Sequence, residues 1–451
     1  MLLTSVKWRG CVTKVKMHML GSRSMKFAAP ALRSRRVSLP SRLQKPNAAT
    51  MRGKSTAMPR DQGDGYLVFS PKDTYTPLRN SQISYTWLRD NCRCSACINQ
   101  QTRQRNFNTF ELSQDIHPSK IHSTEDGIKI LWSHDSHESS YTWDFLDSYL
   151  YRDRPESELL DIEYFGADGG QNNDIAYHDF EANETKAVGR LTDMIKRKGL
   201  AFVTGVPTES AEPTKKLLER IAFIRETHYG GFYDFIPDLA LADTAYTNLA
   251  LSAHTDTTYF SDPAGLQSFH LLSHVDPSSQ EGSGTSLGGK SLLVDGFHAA
   301  EILKKEDPKS FDVLAAVNLP WHASGNEGIT ISPHKLYPVL EYDNAKKTMH
   351  RVRWNNDDRG VVPFGSKYTP EEWYGAARKW YSILRRKDIE YWFQLKPGNV
   401  VIFDNWRVLH GRSAFTGVRR MCGAYINRDD FISRWRNTNF PRQEILKQVV
   451  G

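Results

Sequence analysis

The chain of 451 residues is 39% apolar and 11% aromatic, the composition of an ordinary globular protein with room for a sizeable core and two or three domains. No run approaches the roughly 18 uninterrupted apolar residues that a membrane span needs, so no membrane role is expected. The net charge of +7 is unevenly spread: residues 1–60 hold 14 of the 59 Lys and Arg and no acid, leaving 45 basic against 52 acidic residues, or −7, in the rest. The body therefore shows no basic footprint for nucleic acid.

In chain order, the acid-free leader 1–60, rich in Arg, Lys and Ser, has the composition of a mitochondrial transit peptide, with a disordered basic tail as the alternative. Delivery to the mitochondrial matrix is the expectation. A second segment, about 64–150, carries strand-like runs: GIKILW (127–132) predicts a strand and YTWDFLDSYLY (141–151) a short helix. Gly, Asn and Asp crowd residues 166–174 and mark a linker. The larger region, about 175–451, opens with a helix over 181–198 ended by Gly199, a strand over 200–206 and a helix over 211–228. Short strands are predicted at 292–297, 361–364 and 399–404. A helix begins at Pro370, with Thr369 as N-cap, Glu372 closing a capping box and basic residues in its final turn. Residues 276–290 read as a polar Ser/Gly loop, a surface insertion with a lid as the alternative. The pattern predicts an α+β protein, mainly β: a jelly-roll core with covering helices and a small β-rich N-terminal domain.

Two segments carry the chemistry. SAHTDTTYF places His254 and Asp256 at i and i+2, the same side of a strand, and a later segment supplies His410 and Arg419. Two imidazoles and one carboxylate can occupy one face of an octahedral metal and leave the other positions open, as a non-haem Fe(II) oxygenase requires. A bidentate 2-oxoacid would suit those positions, and its far carboxylate would need a fixed arginine fork. If 418–425 is a strand, Arg419, Met421, Gly423 and Tyr425 share one face and Arg420 and Cys422 the other, so only one arginine points inward. The alternatives are ordinary histidines, or a zinc hydrolase with the same His, Asp and His ligands.

A third cluster is Cys92, Cys94 and Cys97, three thiols within six residues. That spacing suits a structural zinc better than a disulfide framework, with His117, His122, His134 or His137 as fourth ligand.

The region 175–451 resembles the γ-butyrobetaine dioxygenase and trimethyllysine dioxygenase family of 2-oxoglutarate oxygenases. The stretches THYGG, DTAYTNLALSAHTDTTYF, LLVDGF, RWNNDDRG and LKPGNVVIFDNWRVLHGR carry the resemblance, and DTAYT and HTDTTYF are especially like its trimethyllysine branch. With the N-terminal segment, the likeness covers nearly everything after about residue 64. It implies a double-stranded β-helix, Fe(II) on His254, Asp256 and His410, and 2-oxoglutarate anchored by Arg419. It also implies ascorbate to keep the iron reduced, and a homodimer. The implied activity is hydroxylation of N6,N6,N6-trimethyllysine at C3, the first step of carnitine synthesis, with release of succinate and CO2. The alternatives are γ-butyrobetaine hydroxylation and a non-catalytic 2-oxoglutarate sensor.

The resemblance further selects Tyr229, Tyr233, Tyr246 and Tyr425 as a cage for a trimethylammonium group, which cannot donate an N–H and is held by ring faces. At position 233 the butyrobetaine enzymes carry Trp. At Asp243 they carry Asn, and a carboxylate there could pair with an α-ammonium that γ-butyrobetaine lacks. Asn355 matches a residue that contacts the substrate carboxylate, with a turn-forming Asn as the alternative. The family's N-terminal domain carries the CxCxxC pattern and makes His137 the better fourth zinc ligand, His134 the second.

Overall fold

Burial on both faces explains the central strands. Asn399–Asp404 (NVVIFD) is buried from its second residue to its last, as a strand covered on two sides must be. The computed structural model describes residues 59–61, 63–69, 81–150, 162–236, 247–276, 287–325, 327–344 and 347–449. Residues 1–58 of the leader, Asp243, Tyr246 and most of the 276–290 loop lie outside these. Residues Ser55–Gly451 form one compact unit. Among the described residues, no helix is long and apolar enough to cross a membrane.

The N-terminal part contains β1 (Arg60–Asp61), β2 (Tyr66–Val68) and β3 (Gln82–Ser84) in one sheet, and β4 (Pro118–Ser123), β5 (Gly127–Trp132) and β6 (Glu138–Thr142) in another. Among the described residues, its apolar core, including Leu67, Leu88, Ile130, Trp132 and Leu146, draws on none beyond 146. The strand predicted at 127–132 is present, and a helix follows β6 at Trp143–Leu150.

The remaining strands are β7 (Asp174–Ala176), β8 (Leu200–Thr204), β9 (Tyr233–Phe235), β10 (Leu251–His254), β11 (Leu266–Val275), β12 (Ser291–Asp295), β13 (Leu340–Asp343), β14 (Thr348–Val352), β15 (Tyr391–Phe393), β16 (Asn399–Asp404), β17 (Val408–Arg412), β18 (Val418–Gly423) and β19 (Tyr425–Ile426). They build a larger sheet of order β7-β8-β16-β11-β18-β9, with β19 also on β11, and a smaller one of order β10-β17-β12-β15; β13 and β14 form a separate hairpin. Leu271, Val401, Phe403 and Met421 from the larger sheet pack with Leu293 and Val408 from the smaller, so the two sheets share one interior. This is the expected double-sheet jelly-roll architecture. Helices Glu184–Lys198 and Arg428–Asn439 pack on the larger sheet through a second core. Helices Gly296–Glu306, Pro308–Ala316 and Pro370–Leu384 build a third.

Several local expectations need correction. The helix over 181–198 is two helices, Tyr177–Ala182 and Glu184–Lys198, because the Asn183 side chain caps the second by accepting from the Lys186 N–H. Gly199 ends it in the left-handed region (φ +86°), where a side chain would be strained. The 211–228 helix stops at Ile221: Ile224 bridges Ile426 and the Arg225 N–H donates to the Tyr425 carbonyl, drawing the chain out beside β19. Residues 361–364 are not a strand; Val361 and Phe364 lie exposed in a loop. The capping box at Thr369 and Glu372 is present, but the helix ends at Leu384, before the basic residues expected in its last turn.

A two-histidine, one-carboxylate site and a four-donor cluster

Strand pairing brings the two histidines together. β10 and β17 are antiparallel neighbours with His254 directly opposite His410, and their ring centroids stand 4.3 Å apart. Asp256 follows β10 by two residues. Its Oδ1 lies 3.2 Å from His254 Nε2 and 3.8 Å from His410 Nε2. Adjacent donors on a right-angled metal with bonds of about 2.1 Å stand roughly 3 Å apart, so the residues present fit a cation with little adjustment. The His254 Nδ1–H donates to the Ser252 carbonyl at 2.8 Å, which leaves Nε2 for the shared centre.

The carboxylate is fixed from every side. The Asp256 N–H donates to Asn405 Oδ1 at 2.9 Å, and Asn405 Nδ2 donates back to the Asp256 carbonyl at 3.0 Å. Gln267 Nε2 and the Tyr425 hydroxyl both donate to Asp256 Oδ2, each at 2.6 Å. Oδ2 is thereby saturated and Oδ1 alone faces the histidines. Thr257, next in the chain, has φ +57°, a costly conformation for a β-branched residue. It turns the chain away after Asp256, and its Oγ1 accepts from the Ala264 N–H at 2.8 Å. Burial resists charge at Asp256, yet the two imidazoles and the Tyr425 hydroxyl beside it hold the carboxyl below its usual range. Burial and His254 push His410 down to about 3. An anionic carboxylate and a neutral imidazole are the forms a metal takes.

Around this centre one cavity is lined by Tyr229, Tyr233, Asn355, Arg419 and Tyr425 as well as the three donors. Five separately placed segments supply these side chains. On β18, Arg419 and Met421 face the cavity, whereas Arg420 points out and pairs with Asp234 at 2.6 Å. Arg419 is 6% exposed and, among the described residues, forms no hydrogen bond or ion pair; its Nε is buried without a partner and its guanidinium lies 5.4 Å from the Phe415 ring centroid. Burial and Arg412 push it down to about 10. A buried, charged fork without a counter-ion is the receptor half of a carboxylate site.

The Tyr233 hydroxyl donates to the Ser268 carbonyl at 2.5 Å, and its ring meets Tyr425 edge-on at 6.0 Å. Gly423 makes this possible: a Cβ there would stand 2.8 Å from the Tyr233 ring and 2.1 Å from Ser268 O. Tyr425 spends its hydroxyl on Asp256, a tie that the cage reading did not anticipate. Asn355 lines the cavity, and its Oδ1 also accepts from the Asp357 N–H at 3.1 Å, so the turn-forming role is present too. Asp243 and Tyr246 are outside the described residues.

Sequence reasoning missed Gln267 and Asn405. Gln267 sits on β11, a strand the sequence reading did not propose. The run LQSFHLLSHV mixes polar and apolar residues without period-2 alternation, so it carried no strand signal.

In the N-terminal part, Cys92, Cys94 and Cys97 place their sulfurs 3.3, 3.6 and 3.4 Å from His137 Nε2. Zinc bonds of about 2.3 Å to sulfur and 2.1 Å to nitrogen, at tetrahedral angles, separate S and N by roughly 3.6 Å. The four residues therefore fit such an ion, and His117, His122 and His134 are not part of the group.

A double-sheet barrel that carries two histidines and a carboxylate beside an unpaired buried arginine has the donor set of a non-haem iron oxygenase. The sequence matches the Taurine catabolism dioxygenase TauD, TfdA family over residues 157–425 and the Gamma-butyrobetaine hydroxylase-like, N-terminal family over 74–147. A Neurospora crassa protein named Trimethyllysine dioxygenase is 55% identical over 408 residues, 85% of this chain and 86% of its own. One of the same name from Meyerozyma guilliermondii is 42% identical over 387 residues, 82% of this chain and 94% of its own. The Homo sapiens protein named Trimethyllysine dioxygenase, mitochondrial is 38% identical over 361 residues, 79% of this chain and 82% of its own. The chain belongs to the TauD, TfdA dioxygenase family, in its trimethyllysine dioxygenase branch.

Proposed function

We propose that this protein hydroxylates N6,N6,N6-trimethyllysine at C3, the first step of carnitine synthesis, consuming O2 and 2-oxoglutarate and releasing succinate and CO2. The observation that carries the reading is the meeting, in one cavity, of the three donors, the unpaired Arg419 and several tyrosine faces. The names of the relatives supply the substrate.

His254, Asp256 and His410 would hold Fe(II). When bound, that ion supplies the redox chemistry of oxygen activation, which zinc lacks. Tyr425 and Gln267 keep the second oxygen of Asp256 occupied, so the carboxylate would offer the ion one oxygen. Arg419 takes the distal carboxylate of 2-oxoglutarate. Tyr229, Tyr233 and Tyr425, with Tyr246, receive the trimethylammonium group, each ring face contributing on the order of 0.5–2 kcal/mol. Asp243 and Asn355 take the α-ammonium and α-carboxylate. Positioning matters most, since an error of about 1 Å at the reacting C–H costs rate heavily. Ascorbate keeps the iron reduced, Cys92, Cys94, Cys97 and His137 hold a structural zinc in a domain over about 64–150, and the oxygenase domain spans about 175–451. The enzyme acts as a homodimer in the mitochondrial matrix after its leader delivers it; the mammalian relatives are named mitochondrial.

The intact CxCxxC set and the butyrobetaine-type N-terminal match favour γ-butyrobetaine as the second substrate reading. One assay separates the two. Protein, Fe(II), ascorbate, 2-oxoglutarate and O2 are incubated with each amine, and mass spectrometry is expected to show a 16-dalton gain (about one oxygen atom) on trimethyllysine. A gain on γ-butyrobetaine alone would reassign the enzyme, and succinate without either product would favour the sensor.

Arg419→Met is expected to raise KM for 2-oxoglutarate by about 10–100-fold, the loss of about 1.5–3 kcal/mol of charge-assisted hydrogen bonding. KM for trimethyllysine should stay close to wild type. Because the guanidinium is buried without a counter-ion, the variant should melt no lower than the parent. An unchanged cosubstrate KM would remove Arg419 from the role.

A further inference from the structure

Two distant stretches of chain supply the N-terminal donors. The loop after helix Tyr85–Asp90 brings Cys92, Cys94 and Cys97, and the turn between β5 and β6 brings His137. One guanidinium joins them. Arg89, in the last turn of that helix and 6% exposed, donates Nη1–H to Cys97 Sγ at 3.2 Å. Its Nε and Nη2 donate to Asp135 Oδ2 at 3.2 and 2.8 Å. The other carboxylate oxygen, Oδ1, accepts the backbone N–H of His137 at 3.1 Å. The Phe107 ring covers the guanidinium, 4.9 Å from its centroid. A continuous line of contacts therefore runs from Cys97 through Arg89 and Asp135 to His137, from donor to donor without passing through a metal.

We propose that Arg89 and Asp135 are positioning residues of this metal site. They lock the cysteine loop and the histidine turn at their working separation. The proposal rests on the metal reading of the four-donor cluster given above. Two features set the pair apart from an ordinary ion pair. The guanidinium is buried, and its third contact goes to a sulfur of the cluster rather than to water. Partners that orient metal ligands in this way commonly carry about 10–100-fold in metal affinity. A lysine cannot reproduce the arrangement, because its point charge cannot reach both the sulfur and the carboxylate along a rigid plane.

The test uses the full chain with Arg89→Met, Arg89→Lys and Asp135→Asn. Zinc affinity is read by chelator competition, and cobalt(II) replaces zinc so that thiolate-to-metal absorption reports the sulfur donors. Arg89→Met is expected to lose about 10–100-fold in zinc affinity and to show a weakened, shifted cobalt–thiolate band. Arg89→Lys should fall between it and wild type, and Asp135→Asn should lose less than Arg89→Met. Turnover at the iron site in zinc-saturated protein should be unaffected. A folded Arg89→Met with wild-type zinc affinity and cobalt spectrum overturns the proposal. Should Arg89→Met fail to fold, Asp135→Asn decides: zinc affinity within about twofold of wild type, well short of an outer-partner loss, overturns it. A wild-type protein that takes up neither zinc nor cobalt refutes the metal reading itself, a different result from a wild type that binds tightly beside unaffected variants.

Discussion

Asp256→Ala should give a folded protein that has lost iron-dependent turnover. Succinate and hydroxylated trimethyllysine should both fall by at least about 10³-fold, which is about 4 kcal/mol of transition-state stabilisation. The backbone at this position will hold, because the Asp256 N–H and carbonyl are tied to the Asn405 side chain and neither bond involves the carboxylate. The substitution removes the one anionic donor among three and leaves two imidazoles facing each other across 4.3 Å. It also strips Gln267 and Tyr425 of their shared acceptor, so the tyrosine that lines the cavity loses its anchor. Iron content after gel filtration should drop in parallel with activity. A variant that keeps more than about a tenth of wild-type turnover would contradict the ligand assignment, since removing a member of a group that acts as a unit costs nearly the whole effect.

Much of this centre was legible in the sequence because strand periodicity carries direction. The register of β10 with β17 sets His254 opposite His410, and Arg419 and Met421 share one face of β18 with Tyr425 following on β19. Asp256, by contrast, lies past the end of β10 and is held by Asn405 and not by strand alternation. Gln267 is different. It lies on β11 of the larger sheet, reaches Asp256 just beyond β10 of the smaller one, and carries no motif of its own. The Asn405 contacts span 149 residues in sequence and depend on how one turn packs on another, which no window on the chain reveals. Fold class was readable from the many short strands, but helix limits were not. The 211–228 stretch has helical composition throughout, and its last third is drawn out only because β19 offers it backbone partners. At 361–364 the run VVPF has strand composition with no neighbour to pair with, and tertiary context overrode it.

The same long-range logic makes Arg407→Met the substitution with the largest expected cost to stability. Arg407 and Asp295 form a bidentate pair, with Nε to Oδ1 at 3.0 Å and Nη2 to Oδ2 at 2.6 Å, and their side chains are 1% and 0% exposed. Two further guanidinium hydrogens reach the carbonyls of Arg197 and Glu163, both at 2.8 Å. Asp295 in turn caps helix Gly296–Glu306 through the Phe297 and His298 N–H groups and accepts from the Phe165 N–H at 3.2 Å. One ion pair therefore ties the end of β12, the start of β17, the close of helix Glu184–Lys198 and the segment at 163–165, three residues before His410. Replacing the arginine strands a carboxylate in the interior and should cost about 3–5 kcal/mol. At roughly 2–4 °C per kcal/mol, Tm should fall by on the order of 10 °C. Adding Asp295→Asn should recover part of the loss, because the amide oxygen keeps the helix cap while the unpaired charge disappears. Scanning calorimetry of the single and double variants at one scan rate checks both statements. A single variant that melts within about 2 °C of the parent, less than a 1 kcal/mol change, would show that the pair is dispensable. A double variant no more stable than the single would show that the penalty comes from lost hydrogen bonds to Arg197 and Glu163 and not from the stranded charge.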